Sequence, residues 1–222
     1  MLLLVTDTSG RQGSVAFVRA GSEVTVIEET LLAGGNFSAQ LVPQIAELLA
    51  KHNHSKTDIG AFIVVSGPGS FTGLRVGLAA IKALAEILQK PIVPVSLLEV
   101  AAFASAVQGR VLVALDGGRG EIYGGEYEVQ NDTPHMISER LLTKQEFLSR
   151  SAEASLPIVT RDPALAASAR EAGRSVIVLE TMDAAMIARL GWKKLQAGVN
   201  VSPHELEANY IRRSDAEIFA KG

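Results

Sequence analysis

The sequence predicts an α/β protein of two similar lobes, each in the order βββαβαβα around a mixed sheet, and three observations predict it. Apolar runs of strand length alternate with segments of helical periodicity along the whole chain. In each half, three strand-like runs joined by turn residues precede the first helical segment, which gives an antiparallel meander followed by alternating helices and strands. Asp7 and Asp116 each end an apolar strand just before a glycine-containing turn. The offset of 109 between them is close to half of the 222 residues, the mark of a duplicated chain. The expected lobes are residues 1–108 and 109–222, the second carrying a C-terminal tail.

In the first half, strands are expected at residues 2–6, Ser14 to Arg19 and Val24 to Glu29, with turn chemistry at Ser9-Gly10 and Gly21-Ser22. A helical pattern then runs from about Ser38 to Lys51, with Phe37 at its start and Pro43 early enough to do little harm. Strand Ala61 to Val65, helix Thr72 to Gln89 and strand Ile92 to Val95 follow, and a last helix opens on the capping pair Ser96 and Glu99. The second half repeats the order. Strands are expected at Val111 to Leu115, Ile122 to Glu128 and Met136 to Leu142, then a helix with the capping box Thr143 and Glu146. Strand Pro157 to Thr160, helix Ala164 to Ala172, strand Ser175 to Leu179 and helix Ala184 to Ala197 complete it.

Composition excludes several function classes. With 47% hydrophobic and 20% charged residues the chain can bury a core, and a net charge of −3 lacks the basic excess of a protein that grips nucleic acid alone. Any RNA contact is therefore expected to be made by a partner. The absence of cysteine removes disulfides, thiolate zinc sites and a cysteine nucleophile together. The apolar run Leu2 to Val5 is too short for a signal peptide or a membrane span, so a cytoplasmic address is expected.

Two turns could carry chemistry. Asp7-Thr8-Ser9-Gly10 and Asp116-Gly117-Gly118-Arg119-Gly120 have exposed backbone N–H groups that can cradle phosphate and an aspartate that can hold a metal. Asp, Ser and Gly are equally the ordinary residues of tight turns. The segment Ser66-Gly67-Pro68-Gly69-Ser70-Phe71-Thr72-Gly73-Leu74-Arg75 joins a buried strand to a helix that Ser70 or Thr72 can cap, and it lacks the lysine of a Walker A loop.

The helix after that loop is apolar around most of its circumference, which means burial on two sides. Leu74, Gly77, Ala80 and Ile81 lie on it, and Gly73 and Gly77, four apart, would let another backbone come close. A mid-helix glycine costs roughly 1 kcal/mol relative to alanine, so close approach by a neighbour has to offset it. That neighbour is either another part of the same chain or a second polypeptide. The helix from Ser38 is similar, with Leu41, Ile45 and Leu48 on one stripe and Val42, Ala46 and Leu49 on the next. The candidate partner interface is therefore Phe37, Leu41, Ile45, Leu48, Gly73, Leu74, Gly77, Ala80 and Ile81. Catalytic clusters are weak: His52, His54, His135 and His204 include no pair at metal-binding helical spacing.

Gly67 to Arg75 with Val76-Gly77, Pro91 to Val95 with Ser96-Leu97-Leu98, Ala114-Leu115-Asp116, Gly120-Glu121-Ile122-Tyr123, and the tail Asn209 to Glu217 together resemble the TsaB (YeaZ) family, in order from end to end. The resemblance implies a duplicated actin-like/sugar-kinase-like (ASKHA, RNase H-like) fold. It implies association with the catalytic paralogue TsaD and the ATPase TsaE, homodimer formation, and a part in making threonylcarbamoyladenosine next to the anticodon of tRNAs that read codons beginning with adenosine. ATP and metal are expected on the partner subunits, with none here. Nucleotide-binding members of the superfamily use the two turns named above, so Asp7, Ser9, Gly10, Asp116, Gly117 and Gly118 are expected to be vestigial.

The catalytic paralogue carries a His-x-x-x-His metal motif whose two places correspond here to Leu97 and Ala101, neither a ligand. Its glycine-rich second-half nucleotide loop corresponds to Thr160-Arg161-Asp162-Pro163-Ala164, where bulk and proline oppose close approach to a nucleotide. Many family members have a histidine where this chain has Phe37. The alternative expectation, from ancestry alone, is a glycoprotease-like metallopeptidase or an ATP-dependent enzyme of the actin-like fold.

Overall fold

The computed structural model describes residues 1–212, so Arg213 to Glu217 of the family-like tail lie outside the described residues. In chain order the elements are β1 (Leu2–Asp7), β2 (Gly13–Ala20), β3 (Val24–Leu32), α1 (Phe37–Lys51), a 3-10 turn (Lys56–Asp58), β4 (Ile59–Gly67), α2 (Phe71–Leu88), β5 (Ile92–Ser96) and α3 (Leu97–Ala104). There follow β6 (Gly109–Gly118), β7 (Glu121–Gln130), β8 (Thr133–Thr143), α4 (Lys144–Ala154), β9 (Ile158–Thr160), α5 (Pro163–Glu171), β10 (Val176–Val178) and α6 (Ala184–Gln196). Each half is thus βββαβαβα. The first sheet has the order β3-β2-β1-β4-β5 and the second β10-β9-β6-β7-β8. Equating β6 with β1, β7 with β2 and so on makes the two orders the same.

Contacts divide the described residues into two units, Met1–Ser96 with Asp183–Tyr210, and Leu97–Met182 with Ile211 and Arg212. The limits therefore fall at 96/97, 182/183 and 210/211 and not at 108/109. The reason is packing: α3, which closes the first half in sequence, covers β6, β7 and β8, and α6, which closes the second, covers β1 to β5.

In the first unit β1 pairs antiparallel with β2 and parallel with β4, so the sheet is mixed. Period-two alternation sorts the side chains of the central strands. Leu4, Phe17, Phe62 and Val64 join a core with Leu41, Ile45 and Leu48 of α1 and Leu74, Leu78 and Ile81 of α2. Ile63, between Phe62 and Val64, faces Gly191 of α6, where a Cβ would come 2.6 Å from its Cδ1. Covered on both faces, β1 and β4 read as continuous apolar runs.

The second unit is built the same way. Val111 and Val113 of β6 pack with Leu98, Ala101 and Ala102 of α3, while Leu112 and Ala114 pack with Phe147 of α4 and Leu165 of α5. The capping box of α4 forms as expected, with Thr143 accepting from the N–H of Glu146 and Glu146 accepting from the N–H of Thr143 at 2.7 Å. No described helix is long and apolar enough to cross a membrane.

Candidate functional site: two turns and two helix faces

The first turn is packed, not open. Asp7 Oδ1 accepts from the N–H of Ser9 at 2.8 Å and from its hydroxyl at 2.6 Å. Asp7 as a residue is half-buried, but its carboxylate is surrounded by protein, and that burial pushes its pKa above the ordinary aspartate value against the two bonds from Ser9. The carbonyl of Ser9 accepts from the N–H of Ser70 at 2.6 Å, which ties the turn to the loop before α2.

That loop explains its own glycines. A Cβ at Gly69 would overlap the carbonyl of Ser9, one at Gly73 the carbonyl of Thr8, and one at Gly77 the hydroxyl of Thr8. Gly73 and Gly77 therefore seat the first turn of their own unit, where the sequence had left open a second polypeptide. Ser70 caps α2 by accepting from the N–H of Gly73 at 3.2 Å. Phe37 lies against Gly13 and Gly73, 6% exposed, so this chain puts an apolar ring into its core at the start of α1.

The second turn differs. Asp116 is exposed, and its Oδ1 accepts from the N–H of Gly118 at 2.8 Å. The carbonyls of Gly117 and Gly118 face Arg212. Ser9 on one turn, and Gly117 and Gly118 on the other, are hydrogen-bonded within their own unit, while Gly10 is exposed.

On the helices, Phe37, Leu41, Ile45, Leu48, Gly73, Leu74, Gly77 and Ile81 are all buried in the first unit's own core, and only Ala80 of the expected interface is half-exposed. The broad apolar face read from the sequence is two adjacent stripes, and the inner one is intramolecular. The outer one reaches solvent: Val42 and Ala46 on α1, and Val76, Ala80, Ala83 and Ile87 at helical spacing on α2, with Val42 50% and Ile87 71% exposed.

Of the two places expected to correspond to the paralogue's metal motif, Ala101 is wholly buried against β6 and β7 and Leu97 is half-buried. Asp162 caps α5 by accepting from the N–H of Ala164 and Leu165. His52 bonds Glu28 at 2.7 Å beside Lys51, and no group of three or more His, Asp or Glu among the described residues could hold a metal.

Sequence reasoning missed three features. Arg75 lies over the Phe71 ring, 3.7 Å from its centre, and its Nε donates to the hydroxyl of Tyr210 at 3.1 Å, while the N–H of Asn209 donates to the carbonyl of Ser66. The i, i+4 spacing of Phe71 and Arg75 was a usable signal. Arg110 and Arg150 both bond the buried Glu126, and burial, which raises its pKa, is outweighed by these two guanidinium groups, which hold it below the ordinary glutamate value. Arg212 on the second turn had no local signal.

A family model described as TsaD: tRNA N6-adenosine threonylcarbamoyltransferase matches residues 31–219, most of the chain. The tRNA threonylcarbamoyladenosine biosynthesis protein TsaB of Bacillus subtilis (strain 168) is 35% identical over 133 residues, 59% of this chain and 57% of that protein. Its counterpart in Escherichia coli (strain K12) is 35% identical over 131 residues, 58% of this chain and 55% of that protein. The chain belongs to this family, in its TsaB (YeaZ) branch. The matched stretch spans little more than half the length of either relative. The structure of YeaZ from Pseudomonas aeruginosa superposes with a TM-score of 0.72 at 22% identity, covering 94% of this chain and 99% of that one, so the fold is shared throughout. That fold is two mixed-sheet α/β units.

Proposed function

We propose that this chain is a non-catalytic subunit that binds and activates a TsaD-type paralogue, with the ATPase TsaE, for threonylcarbamoyladenosine formation next to the anticodon of tRNA. It acts in the cytoplasm, touches tRNA through the complex, and forms a homodimer when the paralogue is absent. The observation that carries this reading is the outer apolar stripe of α1 and α2. Val42, Ala46, Ala83 and Ile87 are exposed beside the half-exposed Val76 and Ala80, and an apolar surface of this kind supports a protein contact there. Leu97 and Ala101 at the metal places, and turns hydrogen-bonded within their own unit, support an accessory role over a peptidase or an ATP-dependent enzyme. Binding that favours one conformer of a partner stabilises it by the difference in affinity between its states, so a subunit without an active site can switch on one that has it.

The test is the mass, by light scattering, of a mixture of this chain with its TsaD-type paralogue. We expect a defined complex with wild type. Val42→Glu and Ile87→Glu, both on solvent-exposed positions, should keep the fold and lose the complex, because an unpaired charge buried in an interface is strongly destabilising. Assembly of both variants at wild-type affinity would exclude this surface.

A further inference from the structure

The Asp116–Gly120 turn has the composition of a phosphate cradle, but its polar groups are set for the opposite charge. The N–H of Gly118, a donor an anion would need, is spent on Asp116 Oδ1 at 2.8 Å. The carbonyls of Gly117 and Gly118 accept instead from Nη2 of Arg212, at 2.8 and 3.3 Å. The same nitrogen meets the carboxylate of Glu121. Three oxygen acceptors converge on one cationic donor. Beside it, Ile211 packs on the core formed by Val111, Tyr123 and Tyr127, so the segment is held by an apolar contact as well as a charge.

We propose that this turn is a guanidinium seat whose resident ligand is the chain's own Arg212, making the segment at Ile211 and Arg212 a strap that closes it. When opened, the seat takes guanidinium groups and not phosphate. Hydrogen bonds from an ionised donor are about twice as strong as neutral ones, and a carboxylate with two carbonyls suits a guanidinium. A phosphate in the same place would face two partial negative charges and a full one. The Nε of Arg212 is buried without an acceptor among the described residues, so the seat grips the side chain mainly through Nη2. Such a grip is weaker than a bidentate fork and can open.

Hydrogen exchange on the full chain tests this, read on segments 116–121 and 205–212 in wild type, Arg212→Gln and Arg212→Lys, with inorganic phosphate or methylguanidinium added. Arg212→Gln should exchange at least tenfold faster in both segments with β1 and β4 unchanged, and Arg212→Lys should fall between. Methylguanidinium should slow exchange at 116–121 in the Gln variant, and phosphate should not. If the Gln variant opens throughout, the Lys variant, which keeps the charge, carries the comparison. Wild-type exchange at 116–121 in both variants, or protection of that turn by phosphate in any chain, would overturn the seat.

Discussion

Asp7 of the first turn is held by packing and by its own neighbour. Its carboxylate is buried and raised in pKa, with Ser9 supplying the opposing hydrogen bonds. A raised folded-state pKa means that the folded chain binds the proton more tightly than the unfolded one. Stability is therefore lost as pH rises from the ordinary aspartate range through the raised value. Asp7→Asn keeps an oxygen acceptor for Ser9 and removes the buried charge. We expect its stability relative to wild type, from urea unfolding, to increase between acid and neutral pH. A difference that is constant with pH, or that shrinks as pH rises, would show the carboxylate to be stabilised where it lies. Phe37 makes a related point: its ring lies against Gly13 and Gly73, and a Cβ at either glycine would crowd it.

At the scale of elements, α2 is the best-specified part of the fold. Its apolar periodicity and its order after β4 could be read from the sequence, its cap was narrowed to Ser70 or Thr72, and its bounds moved by one residue at each end. What its glycines approach could not be read, because a Gly-x-x-x-Gly spacing states that something comes close and not what. In the structure that neighbour is Thr8. Gly77→Ala should therefore destabilise by about 1–3 kcal/mol through overpacking, despite the gain of roughly 1 kcal/mol in helix propensity. In a Thr8→Ala background, where the hydroxyl is gone, most of that penalty should vanish. An equal cost in both backgrounds, measured by denaturant unfolding, would mean that Gly77 is needed for something other than the turn. The division of the apolar faces of α1 and α2 into inner and outer stripes was likewise beyond the sequence, since adjacent stripes on one helix have the same periodicity and only packing decides which meets the sheet.

Across the whole molecule, the duplication was legible because it rests on order and on two aspartates ending equivalent strands. The assignment of α3 and α6 to the opposite half's sheet was not, because each helix is apolar enough to cover either one. The same duplication brings two equivalent turns that the structure engages differently: the first bonds the loop before α2 and the second bonds Arg212. An accessory role requires that activity follow assembly and not these turns. The most direct measurement is threonylcarbamoyladenosine yield in a mixture reconstituted with the TsaD-type paralogue and TsaE, set beside complex mass, for wild type, Asp7→Asn and Ile87→Glu. Asp7→Asn should assemble and support modification as wild type does, and Ile87→Glu should lose both together. An Asp7→Asn chain that assembles normally and fails to support modification would contradict the accessory role and return the first turn to chemistry.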